Sequence, residues 1–223
     1  MKKLILAILS VPVIFSACKK DDDKNDNDPS KARVLFVHTT LSADTLRVKA
    51  NGATEVNSLP SLGNSGYISL SPGSTAISFV LTQTSLPLKD TTINLAANNN
   101  YSVFAAGTVV SPGVFVTNDD LTSPGSGKAK VRLINLSQEN LNETIYVGST
   151  KIDSNVAYRT ATPFREVAAG TYNVIVQDPS NVPLLRQISN MQFVGGKIYT
   201  IIISGLAAGS GNAALQLTVL SNN

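Results

Sequence analysis

The 223-residue sequence has few of the side chains that most often carry chemistry: one histidine, one cysteine and no tryptophan. A single histidine and a single cysteine cannot form the usual Cys/His zinc sites or nucleophile–base pairs. One cysteine also forms no disulfide within the chain. Only 6% of the residues are aromatic, which disfavours an aromatic binding platform. We therefore expect no enzyme activity, no metal site and no cofactor.

The sequence is also low in charge. Charged residues make up 15% of the chain, and the formal net charge of +3 is spread along it without a basic cluster. This pattern gives no reason to expect a nucleic-acid partner. Hydrophobic residues make up 43%, which is too many for a disordered chain and predicts a packed core.

The amino terminus has the layout of a secretory signal. Lys2 and Lys3 precede an apolar run at residues 4–15, and the small residues Ser16 and Ala17 follow it. As a helix the run would extend about 18 Å, well short of the roughly 30 Å hydrocarbon core of a membrane. The run is therefore predicted to be a cleaved signal and not a permanent span.

Residues 15–18, FSAC, resemble the bacterial lipobox, in which a small residue precedes a cysteine that is lipidated and becomes the mature first residue. Phe15 departs from the usual leucine. The resemblance implies that residues 1–17 are removed and that Cys18 carries a lipid anchor, which would also give the single cysteine a role. The alternative is an ordinary signal peptide with a cysteine near its cleavage site.

Residues 18–30 are rich in lysine and aspartate and are predicted to form a solvated tether. Its first residues after the cysteine, Lys19, Lys20, Asp21 and Asp22, are similar to the signal that carries Bacteroidetes lipoproteins across the outer membrane. The resemblance implies an outer-membrane protein that faces the cell exterior; without export it would face the periplasm. The aspartates do not fit a calcium loop of the EF-hand type, because Asp26 stands where that loop needs glycine.

The rest of the chain contains two copies of one unit, offset by 96 to 99 residues. ARVLFVHTT, which starts at Ala32, corresponds to AKVRLINLS, which starts at Ala129. SPGSTAISFVL, which starts at Ser71, corresponds to AAGTYNVIVQD, which starts at Ala168. The sequence thus predicts a first domain at residues 31–122, a linker at 123–128 and a second domain at 129–223.

Both copies consist of short runs rich in β-branched residues, separated by Gly, Pro, Asn and Ser, which is typical of strands and tight turns. No convincing helix pattern occurs. We predict an all-β protein made of two tandem immunoglobulin-like β-sandwich domains with about seven strands each. The strands predicted for the first copy are 32–39, 45–50, 66–70, 75–83, 90–95, 100–107 and 113–117.

Alternation along the first strand of each copy predicts which residues face the core. The predicted inward residues are Val34, Phe36 and His38 in the first copy and Val131, Leu133 and Asn135 in the second.

Two further pairs of equivalent residues have predicted structural roles. Tyr101 and Tyr199 open equivalent strands, where immunoglobulin-like folds often place a tyrosine whose hydroxyl bonds back to the chain. Gly73 and Gly170 precede a central strand and are predicted to adopt positive φ.

Several of these segments resemble the family of domains of unknown function numbered 4397. Residues 37–40, VHTT, and 167–172, VAAGTY, stand where members of that family have Val-His-Ala-Ser and Val-Pro-Ala-Gly-Thr-Tyr. The second copy has Asn135 in place of the histidine, and residues 71–75 match more loosely. The resemblance implies secreted or lipid-anchored immunoglobulin-like modules with no assigned activity.

The residues that could carry chemistry each have a structural interpretation. His38 has asparagine as its counterpart in the other copy, which favours a hydrogen-bonding role over a catalytic one. Asp119 and Asp120 could join a cation site, but an acidic pair before a linker is more often solvated. Residues 125–128, GSGK, resemble part of a phosphate loop but lack its first glycine and precede a predicted strand.

Thr45 and Thr91 follow aspartates and precede Leu46 and Thr92, in a pattern that resembles the O-glycosylation acceptor of exported Bacteroidetes proteins. Both threonines are candidate acceptors. The alternative is that each aspartate closes a turn before a strand.

Together these features favour a non-enzymatic surface lipoprotein that acts as a binding or adhesion-type module. Its expected partners are the membrane, through the lipid, and a glycan or a protein at the cell surface. The main alternative is a structural spacer or a subunit of a cell-envelope assembly, and a hydrolase with an unusual site is a third.

Overall fold

The computed structural model of the protein describes residues 28–42, 44–139, 142–178 and 181–223. Over these residues the chain is all-β, and its one helical element is a 3₁₀ turn at Gly211–Ala213. No helix in this part of the chain is long and apolar enough to cross a membrane.

The first repeat is a sandwich of two four-stranded sheets. One sheet has the order β4-β1-β7-β8 and the other β3-β2-β5-β6. Strands β1 and β7 pair in parallel, and the other neighbours pair antiparallel. The strands are β1 (Ala32–His38), β2 (Leu46–Ala50), β3 (Ala53–Leu59), β4 (Asn64–Leu70), β5 (Gly73–Leu81), β6 (Pro87–Leu95), β7 (Asn100–Gly107) and β8 (Pro112–Asn118).

The second repeat forms an equivalent sandwich, with sheets β11-β10-β14-β15 and β12-β9-β16-β17. Short strands β12 and β13 both pair with β9, where the first repeat has the single strand β4. The strands are β9 (Lys128–Ser137), β10 (Glu143–Val147), β11 (Thr150–Val156), β12 (Thr160–Ala161), β13 (Arg165–Ala168), β14 (Gly170–Asp178), β15 (Asn181–Phe193), β16 (Ile198–Gly205) and β17 (Gln216–Ser221).

The predicted tandem immunoglobulin-like fold is confirmed, although the strand count differs. The described part of the first repeat has eight strands, where seven were predicted, and the additional strand is β3. The residues of β3 are mostly polar, and only Leu59 at its end is buried. An edge strand of this kind carries little hydrophobic alternation, so its sequence resembles a loop.

Each sandwich has its own core, and the predicted inward residues lie there. Val34 and Phe36 belong to the core of the first repeat, where the Phe36 ring meets Phe79 edge to face at 6.1 Å. Val131 and Leu133 belong to the core of the second. His38 and Asn135, the last predicted inward residues of β1 and β9, are buried as well.

The two predicted tyrosines have the predicted contact. The hydroxyl oxygen of Tyr101 accepts a hydrogen bond from the backbone N–H of Ala96, and that of Tyr199 accepts one from Val194, both at 3.1 Å. Gly73, the first residue of β5, has a φ of +113°, a conformation that residues with a Cβ rarely adopt.

A third apolar cluster joins the two repeats. It is formed by the outer faces of the sheets that contain β1 and β9, so these strands are buried on both sides. Equivalent positions meet there: Val37 and Ile134 correspond in the two copies, as do Phe104 and Ile202. The buried members of this cluster are Leu35, Val37, Phe104, Ala106, Ile134, Leu136, Ile202 and Leu220.

The segment between the repeats runs from the end of β8 at Asn118 to the start of β9 at Lys128. It is held by contacts to the second repeat. The Gly125 N–H donates to a Glu166 carboxylate oxygen at 2.8 Å, and the Lys128 ammonium pairs with the same carboxylate at 2.8 Å. Residues 125–128 lead into a strand, unlike a phosphate loop, which leads into a helix.

Candidate functional site

The strand order places the connecting segments of both repeats at two ends of the molecule. The N-terminal residues 28–31 lie at one end, with the turn 96–99, the segment 119–127 and the turn 194–197. We call this the tether end. The opposite end, here the far end, holds segments 39–42, 60–63, 82–86, 108–111 and 206–215. The Asn212 side-chain amide donates to the Ser42 carbonyl at 3.4 Å, so the far ends of the two repeats adjoin.

The far end carries exposed apolar side chains at turn tips. Val110 and Val109 in the β7–β8 turn are 94% and 43% exposed, and Leu86 in the β5–β6 turn is 60% exposed. Large apolar side chains at loop tips are positions from which a partner can gain contact area. The sequence alone does not single out these residues as a binding surface, because isolated valines in turns are common.

The tether end carries a polar cleft of about 410 Å³ beside the junction of the repeats. Its volume lies within the roughly 300–1,000 Å³ range of small-molecule sites. The cleft is bounded by the N-terminal segment, the β6–β7 turn and the segment after β8. Its lining residues are Asp28, Lys31, Arg33, Asn98, Asn100, Asp119, Asp120, Leu121 and Thr122.

At the base of this cleft, Asp119 forms a buried ion pair between the repeats. A carboxylate oxygen of Asp119 lies 2.7 Å from Nη2 of Arg132 in β9, and both side chains are almost completely buried. Three hydroxyls also donate to Asp119: those of Tyr67 and Ser102 at 2.6 Å, and that of Thr117 at 2.9 Å. Four donors of the protein therefore occupy the two oxygens of this carboxylate.

The same hydrogen-bond network continues through the second repeat and returns to the first. Arg132 Nε donates to the Thr200 hydroxyl at 2.9 Å, which in turn donates to the Asn222 amide oxygen at 2.7 Å. The Asn222 amide N–H then donates to the Tyr67 hydroxyl oxygen at 3.1 Å. Burial and the adjacent Asp119 charge raise the pKa of Tyr67, so its hydroxyl remains a donor.

Asp120 points to a different partner. Its carboxylate accepts from the Lys130 ammonium at 2.9 Å and from the Thr122 hydroxyl at 2.6 Å. The Thr122 hydrogen bonds and then the Lys130 hydrogen bond lower the pKa of Asp120 to about 2. The interpretation of this acidic pair as solvated is therefore wrong for Asp119, which is buried against Arg132. Asp120 is exposed to solvent, and it also pairs with Lys130 of the second repeat.

His38 has the predicted hydrogen-bonding role. Its Nδ1–H donates to the Leu59 carbonyl at 3.2 Å, and its Nε2 accepts from the Thr40 hydroxyl at 2.5 Å. Burial lowers the pKa of His38, which keeps the ring neutral. In the second repeat Asn135 donates to the equivalent carbonyl, that of Val156, at 2.8 Å. Both residues thus fasten the end of one sheet to the other.

The two candidate acceptor threonines lie in strands or at their start. The Thr45 hydroxyl contacts the Thr82 hydroxyl and is partly buried. Thr91 is half-buried in β6, opposite Ile77 of β5. Their glycosylation stays a prediction. The lipidation residue Cys18 and the export residues Lys19, Lys20, Asp21 and Asp22 lie outside the described residues.

Glu143, at the start of β10, is a buried acid that the sequence patterns do not single out. Neither of its carboxylate oxygens has a hydrogen-bond partner among the described residues. Burial and then the negative charge of Asp178 raise the pKa of Glu143 to about 7, against the opposing effect of Arg186. No group of three or more metal-ligating side chains occurs in the described segments.

Comparison with known proteins identifies the family. The model of the family described as Domain of unknown function (DUF4397) matches residues 32–143 and again 139–223, so the chain belongs to this family. No curated protein matches the chain.

Three solved structures are similar at low identity. One belongs to work on alpha-glucan recognition by family 41 carbohydrate-binding modules from streptococcal virulence factors, with 11% identity over 83% of this chain and 96% of that chain and a TM-score of 0.25. A candidate cell adhesion protein from Bacteroides uniformis has 10% identity over 86% of this chain and 96% of that chain, with a TM-score of 0.23. Another candidate cell adhesion protein, from Bacteroides fragilis, has 8% identity over 86% of this chain and 97% of that chain, with a TM-score of 0.22. Likeness at these scores carries no information on what this chain binds.

Proposed function

We propose that this member of the family is a non-enzymatic binding module of the adhesion type, anchored by a lipid on Cys18 to the outer membrane and facing the cell exterior. The observation that carries the proposal is the placement of the two ends of the molecule. The N-terminal segment enters at the tether end, and the two most exposed large apolar side chains of the described residues, those of Val110 and Leu86, lie at the far end. An anchor on the N-terminal segment would therefore leave those turns directed outward.

Contacts between the repeats support this arrangement, because they make the pair one body. The apolar cluster between the sheets is flanked by the Asp119–Arg132 ion pair toward the tether end. Nearer the far end, the Arg159 guanidinium donates to the Val114 carbonyl at 2.5 Å. Loops presented by such a scaffold keep their relative positions when a partner binds, which reduces the ordering cost of association.

The lipid anchor and the export signal lead to a test on intact cells. Protease added outside should digest the wild-type protein, because the tether and both domains would be exposed. A Cys18→Ala variant should be lost from the membrane fraction, since it has no acylated residue. The measurement is immunoblotting of cells and medium after digestion. Wild-type protein protected on intact cells but digested after lysis would contradict exterior exposure and indicate a periplasm-facing lipoprotein.

Binding through the far end predicts a strong effect of its valines. Arrays of glycans and matrix proteins probed with residues 28–223 should yield a ligand. Replacing Val109 and Val110 together by serine should weaken that binding by about tenfold or more, because both side chains lose apolar contact area. The measurement is the dissociation constant of each variant.

The control is Val194→Ser, which changes one valine at the tether end whose exposure of 46% is close to that of Val109. This variant should bind like the wild type. Equal losses in both variants would contradict binding by the far end.

The alternative function is a structural spacer or a subunit of an envelope assembly. The interface between the repeats favours this reading too, because a rigid pair of sandwiches sets a fixed distance. No binding on broad arrays, together with specific cross-links to other envelope proteins on intact cells, would favour it over a binding module.

A further inference from the structure

The cleft at the tether end has side chains whose hydrogen-bonding groups the fold does not need. The comparison is internal, because the second repeat builds the same turn without them. Asn98 N–H donates to the Lys31 carbonyl at 2.8 Å, and Gly196 N–H donates to the Lys128 carbonyl at 2.8 Å. Asn98 and Gly196 are thus equivalent, and both have positive φ. Glycine suffices at this position in the second repeat, so the turn does not require the side-chain amide of Asn98.

Arg33 gives a second observation of the same kind. Its guanidinium lies over the Tyr67 ring at 4.9 Å, which holds it beside the cleft. The hydrogen bond from its Nη1 to Asn100 is long, at 3.4 Å, and its Nε is buried with no partner among the described residues. A guanidinium offers five N–H donors in a fixed plane, and the long bond to Asn100 is the one hydrogen bond described for its two terminal nitrogens.

The charges of the cleft decide between classes of ligand. Asp119 and Asp120 are each paired with a cation of the second repeat, and Asp28 accepts hydrogen bonds from Ser30. Those two pairs leave Asp28 facing Lys31 and Arg33, which is a net charge of +1 without the cluster of cations that usually holds a multiply charged anion such as phosphate. The lining offers one apolar side chain, Leu121, which is too little to anchor an apolar ligand or a peptide side chain.

Amides, a guanidinium, a hydroxyl and carboxylates together supply both donors and acceptors at close spacing. A ligand that uses them all must itself carry many groups that donate and accept, which is the property of sugar hydroxyls. We propose that the cleft at the tether end binds a neutral saccharide, with Arg33, Asn98 and Asn100 donating to sugar oxygens and Asp28 and Asp120 accepting from sugar hydroxyls. This site is separate from the far end and does not depend on the proposed function.

The test uses substitutions that the other repeat already contains. Asn98→Gly keeps the positive-φ turn and removes the amide, and Arg33→Lys introduces the residue that the second repeat has at this position, Lys130. The full chain, purified in detergent, is titrated calorimetrically with maltohexaose, cellohexaose, xylohexaose, mannohexaose and chitohexaose. Polygalacturonate oligomers are the acidic arm. Unfolding in urea, measured for each variant, separates lost binding from lost folding.

At least one neutral oligosaccharide should bind, and the double variant Asn98→Gly with Arg33→Lys should bind it about tenfold more weakly. The matched control is Asn155→Gly, because Asn155 has the same φ of 58° as Asn98 and lies outside the cleft. That variant should bind within about twofold of the wild type.

Three results would overturn the inference: no binding of any neutral oligosaccharide, binding of the acidic oligomers alone, or equal affinity of the double variant and the wild type. A saccharide that binds but is released by the Val109 and Val110 serine variant would place the site at the far end. That outcome would support the proposed function and reject the cleft.

Discussion

Arg132→Leu should lower the free energy of unfolding by about 3–5 kcal/mol, the usual cost of leaving one member of a buried ion pair without its partner. Asp119 would keep three hydroxyl donors but lose the only cation described beside it. Leucine is a suitable replacement, because the equivalent residue of the first repeat is Leu35, which lies buried in the interface cluster. Urea unfolding followed by circular dichroism measures the loss.

The control is the double variant Arg132→Leu with Asp119→Asn. Asparagine is the residue that the second repeat has at the position equivalent to Asp119, since the N–H groups of Asp119 and Asn222 donate to equivalent carbonyls. Removing both charges avoids an unpaired buried carboxylate, so the double variant should recover most of the loss. A double variant no more stable than Arg132→Leu would show that packing, and not the unpaired charge, causes the loss.

Glu143→Gln should stabilise the protein at alkaline pH by about 3 kcal/mol and have little effect near pH 4. The raised pKa of about 7, against a usual value of 4.5, means that the folded state binds the Glu143 proton more tightly than the unfolded state does. Stability therefore falls as pH rises from about 4.5 to about 7, where the buried carboxyl becomes charged, and a shift of this size corresponds to about 3 kcal/mol. Glutamine carries no charge and avoids this cost.

Urea unfolding of both proteins between pH 4 and pH 8.5 measures the difference. Glu166→Gln is the control, because Glu166 is exposed and the Lys128 and Gly125 hydrogen bonds lower its pKa. Its replacement should give no gain at alkaline pH. A pH-independent effect of Glu143→Gln would mean that the wild-type carboxyl does not titrate in this range.

The inner faces of the sandwiches could be predicted because strand alternation is local. Val34 and Phe36 are two residues apart and face the same core, and the duplicated sequence repeats the pattern at Val131 and Leu133. The same strands also carry apolar residues on their other side, such as Leu35 and Ile134. An apolar run without alternation is typical of a strand buried on both faces. The sequence therefore indicates a second buried face on these strands, but only the fold shows that the other repeat covers it.

The Asp119 network could not be predicted, because its members are distant in sequence. Tyr67, Ser102, Arg132 and Asn222 come from four strands or termini and share no spacing pattern. The cleft depends on the same convergence and was likewise not predictable. His38 differs, because the asparagine in the other copy reports directly that the position needs a hydrogen-bonding side chain.

The entry of the N-terminal segment straight into β1 determines how the protein would respond to mechanical load. Strand β1 is internal to its sheet, and six of its residues pair in parallel with β7. A pull between the tether end and the far end runs along this strand, so the bonds to β4 and β7 are sheared together and do not open one at a time. The strand nearest the attachment point is therefore also one of the hardest to extract.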